Sequence, residues 1–587
     1  MLLMLAFLLC RIGFCGSSLA AGQGVRGEGA LSSTGTDSER ASSPHWRSFI
    51  WDALPSEWLS GSERNVVLEA YQLRDWKPFF FTSRFDPTSG ANELIRRIEE
   101  AEAEGIDPQS YNLEAVREKL GNLARLRTSL NALDPGFADS RAVFSDKASF
   151  ESPAAAAVAQ QTPQEAAKQA SPDSSRATDR EREQKYKEVF REAGEIDIEL
   201  ARRLVKFSSE MNPFAGDEVI RNLQGELPMT EFIRKLEPAS PHYKPLIVAL
   251  ARYRALARAS QIPFNEKVPV KPGETGKHVA NLQKRLQQED FYKGGISGSF
   301  DRETQEAVRN FQRAHLQQAD GAVGQKTKDW LNVPYRRKAE MIARTLKLAR
   351  ESRIRTVERG RFIRINIPEF ILEYYKDGVI NEIHRVIVGR ASGKKVKFEG
   401  RMAGENQTPT LCSAIEQIVF NPRWYVSDRI GIELNGEAAR DPQYWTRHGY
   451  VQMSSRYPSG QPRVFQLPGP GNALGRVKFE FPNPYAVYLH DTPRRQLFQN
   501  ARRDYSHGCM RVDKAEGLAR TLLTDEQNPA AQKIALYIEK KNPSFIKLSQ
   551  PVPIFVEYAP ASSAENGQAL FPGDPYGLFG GDPEKKG

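Results

Sequence analysis

Apolar and polar positions alternate along much of the C-terminal third of this chain. FIRINIPEFILEYYKDGVINEIHRVIVG has period two and contains Asp377-Gly378, a pattern that predicts half-buried strands joined by a two-residue hairpin turn. Further strands are predicted at AIEQIVFNP and AVYLH, and a helix over 514–522. Residues 361–546 therefore read as a mostly β domain. A stretch rich in Gly, Pro and Arg, 425–475, interrupts it, and an insertion that long is usually a lid or binding element.

Upstream the spacing turns helical. Within 44–133, ELIRRIEEAEAEGID predicts a helix stopped by Gly105, and WKPFFFTSRFD carries an aromatic cluster. Residues 134–179 are poor in aliphatics and rich in Ala, Ser, Gln, Pro and Asp, too little apolar surface to offset ordering entropy, so a disordered insertion is expected. Helical patterning resumes over 180–265, through ARRLVKFSSEM and YKPLIVALARYRALARAS. The two pieces are expected to form one helical domain. Residues 274–332 form a small unit of two short helices. Val279, Leu282 and Leu286 recur at helical spacing, as do Thr304, Ala307, Val308 and Phe311, with Asp301 at an N-cap position and a turn at Asp320-Gly321. A charged helix over 336–351 leads into the β domain.

The ends read differently. Residues 1–21 hold an apolar run, Leu2 to Cys10, before Ser18-Leu19-Ala20, which has the small residues of a signal-peptidase site. The run is shorter than the ~20 residues that span a bilayer. No Lys or Arg precedes it and Arg11 interrupts it. Export is the expectation, with the leader either cleaved or kept as a membrane tether; a mis-assigned start on a cytosolic protein is the alternative. Residues 22–43 read as a linker and 547–587 as a C-terminal tail whose role the pattern does not reveal.

At 587 residues the chain has room for three or four domains, and 40% hydrophobic with 27% charged residues is a globular composition. A net charge of +10 suits polyanionic surroundings. Without a zinc finger, basic zipper or phosphate-binding loop, nucleic acid is not the expected partner. Cys10 and Cys15 lie in the leader, leaving Cys412 and Cys509, which excludes a disulfide-dense scaffold. Pairing of these two is disfavoured, and Cys412 is expected to be a small buried apolar residue. His278, His315, His384 and His448 lack paired-ligand spacing. They are read as surface or hydrogen-bonded histidines, with no metal site and no cofactor.

The candidate chemistry sits in two segments. AVYLHDTP places Tyr488 and His490 on one face of a strand, and after fifteen residues beyond His490 the segment Ser506-His507-Gly508-Cys509-Met510-Arg511 begins. A free thiol is only ~3% ionised at neutral pH, so a nucleophilic Cys509 needs an imidazole to take its proton. His490 and His507 both qualify, and in an extended segment His507 would share a face with Cys509. Gly508 permits a backbone conformation barred to other residues and opens the amides of Gly508 and Cys509 to an oxyanion. Arg511 is suited to a substrate carboxylate.

The string from His490 through Ser506, His507, Gly508, Cys509 and Arg511 resembles the signature of the L,D-transpeptidase (YkuD-type) family. FDRETQEAVRNFQ followed by DGAVGQKTKDWL resembles the peptidoglycan-binding domain type 1 family, and the domain order is similar to the family's large subset. The resemblance implies a multidomain α+β protein: a helical scaffold domain, a small helical peptidoglycan-binding domain, and a mostly β catalytic domain with a capping insertion. It further implies Cys509 attacking a tetrapeptide stem at diaminopimelate and releasing D-alanine, with His490 favoured as proton carrier. His507 and Ser506 would orient the site, and Tyr488 and Trp424 would line the cleft. Peptidoglycan is the implied partner, carbapenems the implied covalent inhibitors, and the periplasm or cell envelope the implied location. The acceptor stays open between an amine that gives 3→3 cross-links, a lipoprotein lysine, and water. A non-catalytic peptidoglycan-binding protein is the alternative of another class. A papain-like protease is disfavoured because His490 precedes Cys509.

Overall fold

The computed structural model describes residues 62–134 and 172–579, apart from 75, 83, 224–226, 399–400 and 442. The expected leader, the linker and most of the expected disordered insertion lie outside the described residues. The chain divides into two compact units, 1–238 and 239–587.

The first unit is helical: α1 (Ser62–Leu73), α2 (Ser89–Glu100), α3 (Leu113–Leu133), α4 (Pro172–Met211), α5 (Gly216–Leu223) and α6 (Met229–Lys235). Thr88 caps α2 by accepting from the Ala91 amide, and Gly105 follows at φ 83°, where a left-handed residue ends the helical run. The aromatic string is core: Phe79, Phe80, Phe81 and Phe85 are buried. Asp197 of α4 fixes it, accepting from the amides of Phe79 (2.9 Å) and Phe80 (2.7 Å) and from the Tyr71 hydroxyl (2.5 Å). Burial raises this carboxyl to about 6 against those donors. One carboxylate thus joins the pieces on either side of 135–171. Helix α4 starts eight residues inside the stretch that composition assigns to disorder. Its first turns lack aliphatics but carry Arg182–Asp179 and Lys187–Glu183 ion pairs, local support that continues a helix outward from a buried segment.

In the second unit α7 (Tyr243–Arg258) buries Tyr243, Leu246, Leu250 and Tyr253 in the same core as the module that follows. The module has three helices, one more than the pattern predicts: α8 (Lys277–Gln288), α9 (Arg302–Ala314) and α10 (Gln325–Leu331). Asp301 caps α9 through the Thr304 amide at 2.8 Å. Helix α11 (Tyr335–Glu351) leads to the sheet.

Strands β1 (Arg361–Asn366), β2 (Ile371–Lys376) and β3 (Val379–Gly389) follow the predicted alternation. Asp377 and Gly378 both have positive φ, 52° and 81°, the two-residue turn that suits strand twist. Then come β4 (Lys395–Phe398), β5 (Arg401–Gly404) and β6 (Leu411–Phe420). The insertion is a folded cap: β7 (Trp424–Tyr425), α12 (Asp428–Ala438), α13 (Tyr444–Arg447), β8 (Tyr450–Arg456) and β9 (Pro462–Gln466), with strand order β7-β9-β8. The main sheet resumes with β10 (Val477–Glu480), β11 (Leu489–His490), β12 (Asp504–Ser506) and β13 (Met510–Val512). Helices α14 (Ala515–Asp525) and α15 (Ile534–Glu539) precede β14 (Ser544–Glu557). Strand order is β12-β3-β13-β11-β10-β6-β14-β1-β2, and a further β2–β3 pairing closes the sheet on itself.

The predicted tail is the largest departure. β14 is an interior strand of the sheet, parallel to β1 and antiparallel to β6. Pro551 argues against a central strand, but it falls where the β14–β6 register shifts between Lys547 and Val552, so the lost amide costs no ladder bond. Beyond it, β15 (Ser562–Ser563) and β16 (Ala569–Leu570) pair with each other. Cys412 is another departure: it faces outward on β6, exposed, and both it and Cys509 are free thiols. Alternation decides this, since Ser413 and Ile415 take the inward positions. Among the described residues no helix is long and apolar enough to cross a membrane.

Candidate active site

Strands β11 and β13 run parallel, with Leu489 opposite Met510 and His490 opposite Arg511. Leu489, Met510 and Val512 are fully buried in the core. Period two then places Tyr488, His490, Cys509 and Arg511 together on the other face. The Tyr488 and His490 rings meet edge to face at 5.7 Å. Strand β10 adds Lys478, opposite His490, with its ammonium 4.3 Å from the Tyr488 ring centroid.

His490 is buried, and its Nδ1 lies 2.5 Å from the Asp491 carbonyl. A carbonyl can only accept, so Nδ1 carries the proton and Nε2 is left as a lone-pair acceptor. Nε2 has no partner among the described residues. Burial and then the Arg511 charge push this imidazole down to about 3. Asp491 is itself pinned, accepting from the Arg476 amide at 2.9 Å. Gly475 makes room for it: a Cβ there would lie 2.3 Å from Asp491 Oδ2, and its φ is +62°.

Burial raises the Cys509 thiol, opposed by Tyr488, Lys478 and Arg511. Arg511 is half-buried, and its guanidinium has no hydrogen-bond or ion-pair partner among the described residues, which leaves it receptive to an anion.

The catalytic-loop candidates divide. Ser506 Oγ donates to the Cys509 carbonyl at 2.5 Å and accepts from the Gly508 amide at 3.1 Å. The Gly508 amide is therefore taken, contrary to its expected part in an oxyanion site. The Cys509 amide donates to no group among the described residues. His507 does not turn to Cys509. Its Nε2 lies 3.0 Å from both Arg390 and Glu433 of the cap, and Arg429 donates to its carbonyl at 3.3 Å. Gly508, at φ +120°, breaks the extended run that would have put His507 and Cys509 on one face. Thr408, Lys478 and Glu433 were not singled out from sequence, because pairing partners and cap contacts leave no local pattern.

Of the four isolated histidines, His278 pairs with Glu274, His315 with the Phe311 carbonyl, and His384 with the Asp513 carbonyl and Glu382. His448 packs on Tyr444. His315 and His384 are the buried, hydrogen-bonded members of this group. Among the described residues no group of three or more His, Cys, Asp or Glu side chains could hold a metal ion.

Sheet, cap and helical module together define a modular α+β protein. Residues 360–541 match the YkuD family, the L,D-transpeptidase catalytic domain; 275–331 match the family described as "Putative peptidoglycan binding domain"; and 65–250 match the scaffold domain. The chain carries an L,D-transpeptidase catalytic domain of the YkuD family behind a peptidoglycan-binding domain and a scaffold domain. A Haemophilus influenzae protein named "Putative L,D-transpeptidase" is 33% identical over 228 residues, 36% of this chain and 43% of that protein. The "Spore cortex-lytic enzyme" of Bacillus subtilis is 46% identical over 69 residues, 12% of this chain and 22% of that one. The chain thus spans less than half the length of these relatives. A solved L,D-transpeptidase from Xylanimonas cellulosilytica covers 50% of this chain and 100% of its own at 19% identity, with a TM-score of 0.17, too low to carry any inference.

Proposed function

We propose that the protein is a cell-envelope L,D-transpeptidase that acts on peptidoglycan tetrapeptide stems through a Cys509 acyl-enzyme, forming 3→3 cross-links between diaminopimelate residues. The observation that carries this reading is the shared face of β11 and β13, which gathers Cys509, His490, Tyr488 and Arg511.

Cys509 Sγ attacks the carbonyl carbon of the amide between diaminopimelate and the terminal D-alanine. Its proton passes to His490 Nε2, the free lone pair of a neutral ring. The Cys509 amide donates to the oxyanion as it forms. Collapse breaks the C–N bond, and the proton held by His490 goes to the leaving amine of D-alanine. The thioester then accepts an amine from a second stem, whose proton returns through His490, and the thiol is restored. Arg511 holds a stem carboxylate by paired hydrogen bonds. Tyr488 and Trp424 wall the cleft, and Ser506 holds the loop conformation.

Purified protein incubated with tetrapeptide-bearing muropeptides should yield cross-linked dimers, and Cys509→Ala should yield none. Dimers made equally well by Cys509→Ala would reject the proposal. Tripeptide products without dimers would identify water as acceptor. A carbapenem should add its mass to Cys509.

A further inference from the structure

The segment after β14 performs two tasks within a short length of chain. Its first part enters the core of the small helical module: the Phe571 amide donates to the Ala314 carbonyl at 2.7 Å, and the Phe571 ring packs on Tyr253 and His315. Five residues later the chain lies against the catalytic loop. Tyr576 is buried; its hydroxyl donates to the Gly389 carbonyl at 2.8 Å and accepts from the Thr408 amide at 3.0 Å. Thr408 Oγ1 accepts from the Gly389 amide at 2.8 Å and donates to the Gly508 carbonyl at 2.8 Å. Gly389 has no slack, since a Cβ there would lie 2.0 Å from the Asn406 carbonyl oxygen.

Tyr576 is itself held. Tyr558 donates to Asp574 at 2.6 Å and accepts from the Tyr576 amide at 2.8 Å, and Asp574 also takes the amides of Leu578 and Phe579. The chain of contacts ends on the peptide that joins Gly508 to Cys509. That peptide is planar and trans, so its carbonyl and its N–H point in opposite directions. Anchoring the Gly508 oxygen on Thr408 therefore aims the Cys509 N–H the other way.

We propose that Tyr576 is a positioning residue for acyl transfer: through Thr408 it fixes the 508–509 peptide plane, and so directs the Cys509 amide at the oxyanion. This rests on the transpeptidase reading above. The C-terminal segment is then part of the reaction machinery as well as a packing element.

The test separates oxyanion formation from thiol reactivity in the full chain. Alkylation of Cys509 by iodoacetamide forms no oxyanion, whereas acyl transfer does. Tyr576→Phe should lower kcat for cross-linking about 10–100-fold, in the range of a weakened oxyanion donor. KM should stay within about twofold and the alkylation rate should be unchanged, since neither depends on that donor. Thr408→Val should show the same split, and Thr408→Ser, which keeps the hydroxyl, should restore kcat. Should Tyr576→Phe not fold, the Thr408 pair decides. Unchanged kcat in Tyr576→Phe and Thr408→Val, or kcat and alkylation falling in parallel, overturns the proposal. Failure of the parent reading looks different: Cys509→Ala would still cross-link.

Discussion

His490 sits directly across the parallel β11–β13 ladder from Arg511, so a permanent cation lies beside a buried imidazole. With burial as the larger cause, that charge holds His490 neutral far below the ordinary histidine range, while burial keeps the Cys509 thiol protonated. The resting pair is a neutral thiol and a neutral imidazole. The proton therefore moves during attack, and the substrate approaches no preformed thiolate.

The pH profile should show this. Carbapenem acylation of Cys509, followed by intact mass, should be flat from about pH 5 to 8, because the competent protonation state fills that range. In His490→Asn the rate should instead climb roughly tenfold per pH unit toward the thiol pKa, since only free thiolate then reacts. An acid limb centred near 6.5 in the wild type would show an ordinary histidine and defeat the assignment. Stability carries the same sign. Below about pH 6.5 the unfolded chain gains a proton that folded His490 refuses. The contribution is present above that pH and is lost as pH falls toward 3. The melting temperature should drop more steeply from pH 6.5 to 4 in the wild type than in His490→Asn.

The two histidines should separate in a single assay. His507 is engaged by Arg390 and Glu433 of the cap, so His507→Ala should change acylation of Cys509 by no more than about threefold. His490→Ala removes the proton acceptor and should cost about 10²–10⁴-fold. The reverse order would reassign the base.

Arg511 offers a bidentate site that no acidic group among the described residues occupies. Arg511→Lys keeps the charge but loses the fork, and should raise KM for the stem about tenfold with kcat nearly intact. Arg511→Ala should also lift the acid limb of the pH profile, because His490 loses its neighbouring cation. No movement of that limb would show that burial alone sets the imidazole.

Much of this site is legible in the sequence because its information is local. The alternation in AVYLH sets the shared face of Tyr488 and His490, and the spacing to Cys509 carries the family resemblance. What was misread depends on pairing. Residues from 547 onward look like a tail until their pairing with β6 and β1 is seen, with Pro551 absorbed in a register shift. His507 looks like a neighbour of Cys509 until Gly508 takes a positive φ. Cys412 looks like core, and only its strand partners show which way it faces. Lys478 and Thr408 reach the site through strand pairing and a loop contact, which no short window of sequence contains.

A last prediction concerns the module and its link to the sheet. Lys338 of α11 is fully buried and pairs with the buried Glu289 at 2.6 Å; Arg285 pairs with the same carboxylate at 2.6 Å. The Tyr253 hydroxyl donates to Glu289 at 2.8 Å, and the Lys338 ammonium lies over the Phe311 and Phe571 rings at 5.4 and 5.3 Å. Burial alone would raise the Glu289 carboxyl, yet the two cations hold it well below the usual carboxylate range. Cutting out one cation leaves a buried charge undercompensated, which typically costs about 3–5 kcal/mol. Lys338→Met should therefore lower the unfolding free energy of the second unit, read from urea melts, by that order, whereas Arg336→Met, at an exposed i,i+4 pair on the same helix, should leave it unchanged. Because Phe571 lies in the same cluster, Lys338→Met should also loosen the C-terminal segment, seen as faster amide exchange at 569–576. A loss below about 1 kcal/mol would mean that Arg285 alone compensates the carboxylate and that the cluster is not what fastens the module.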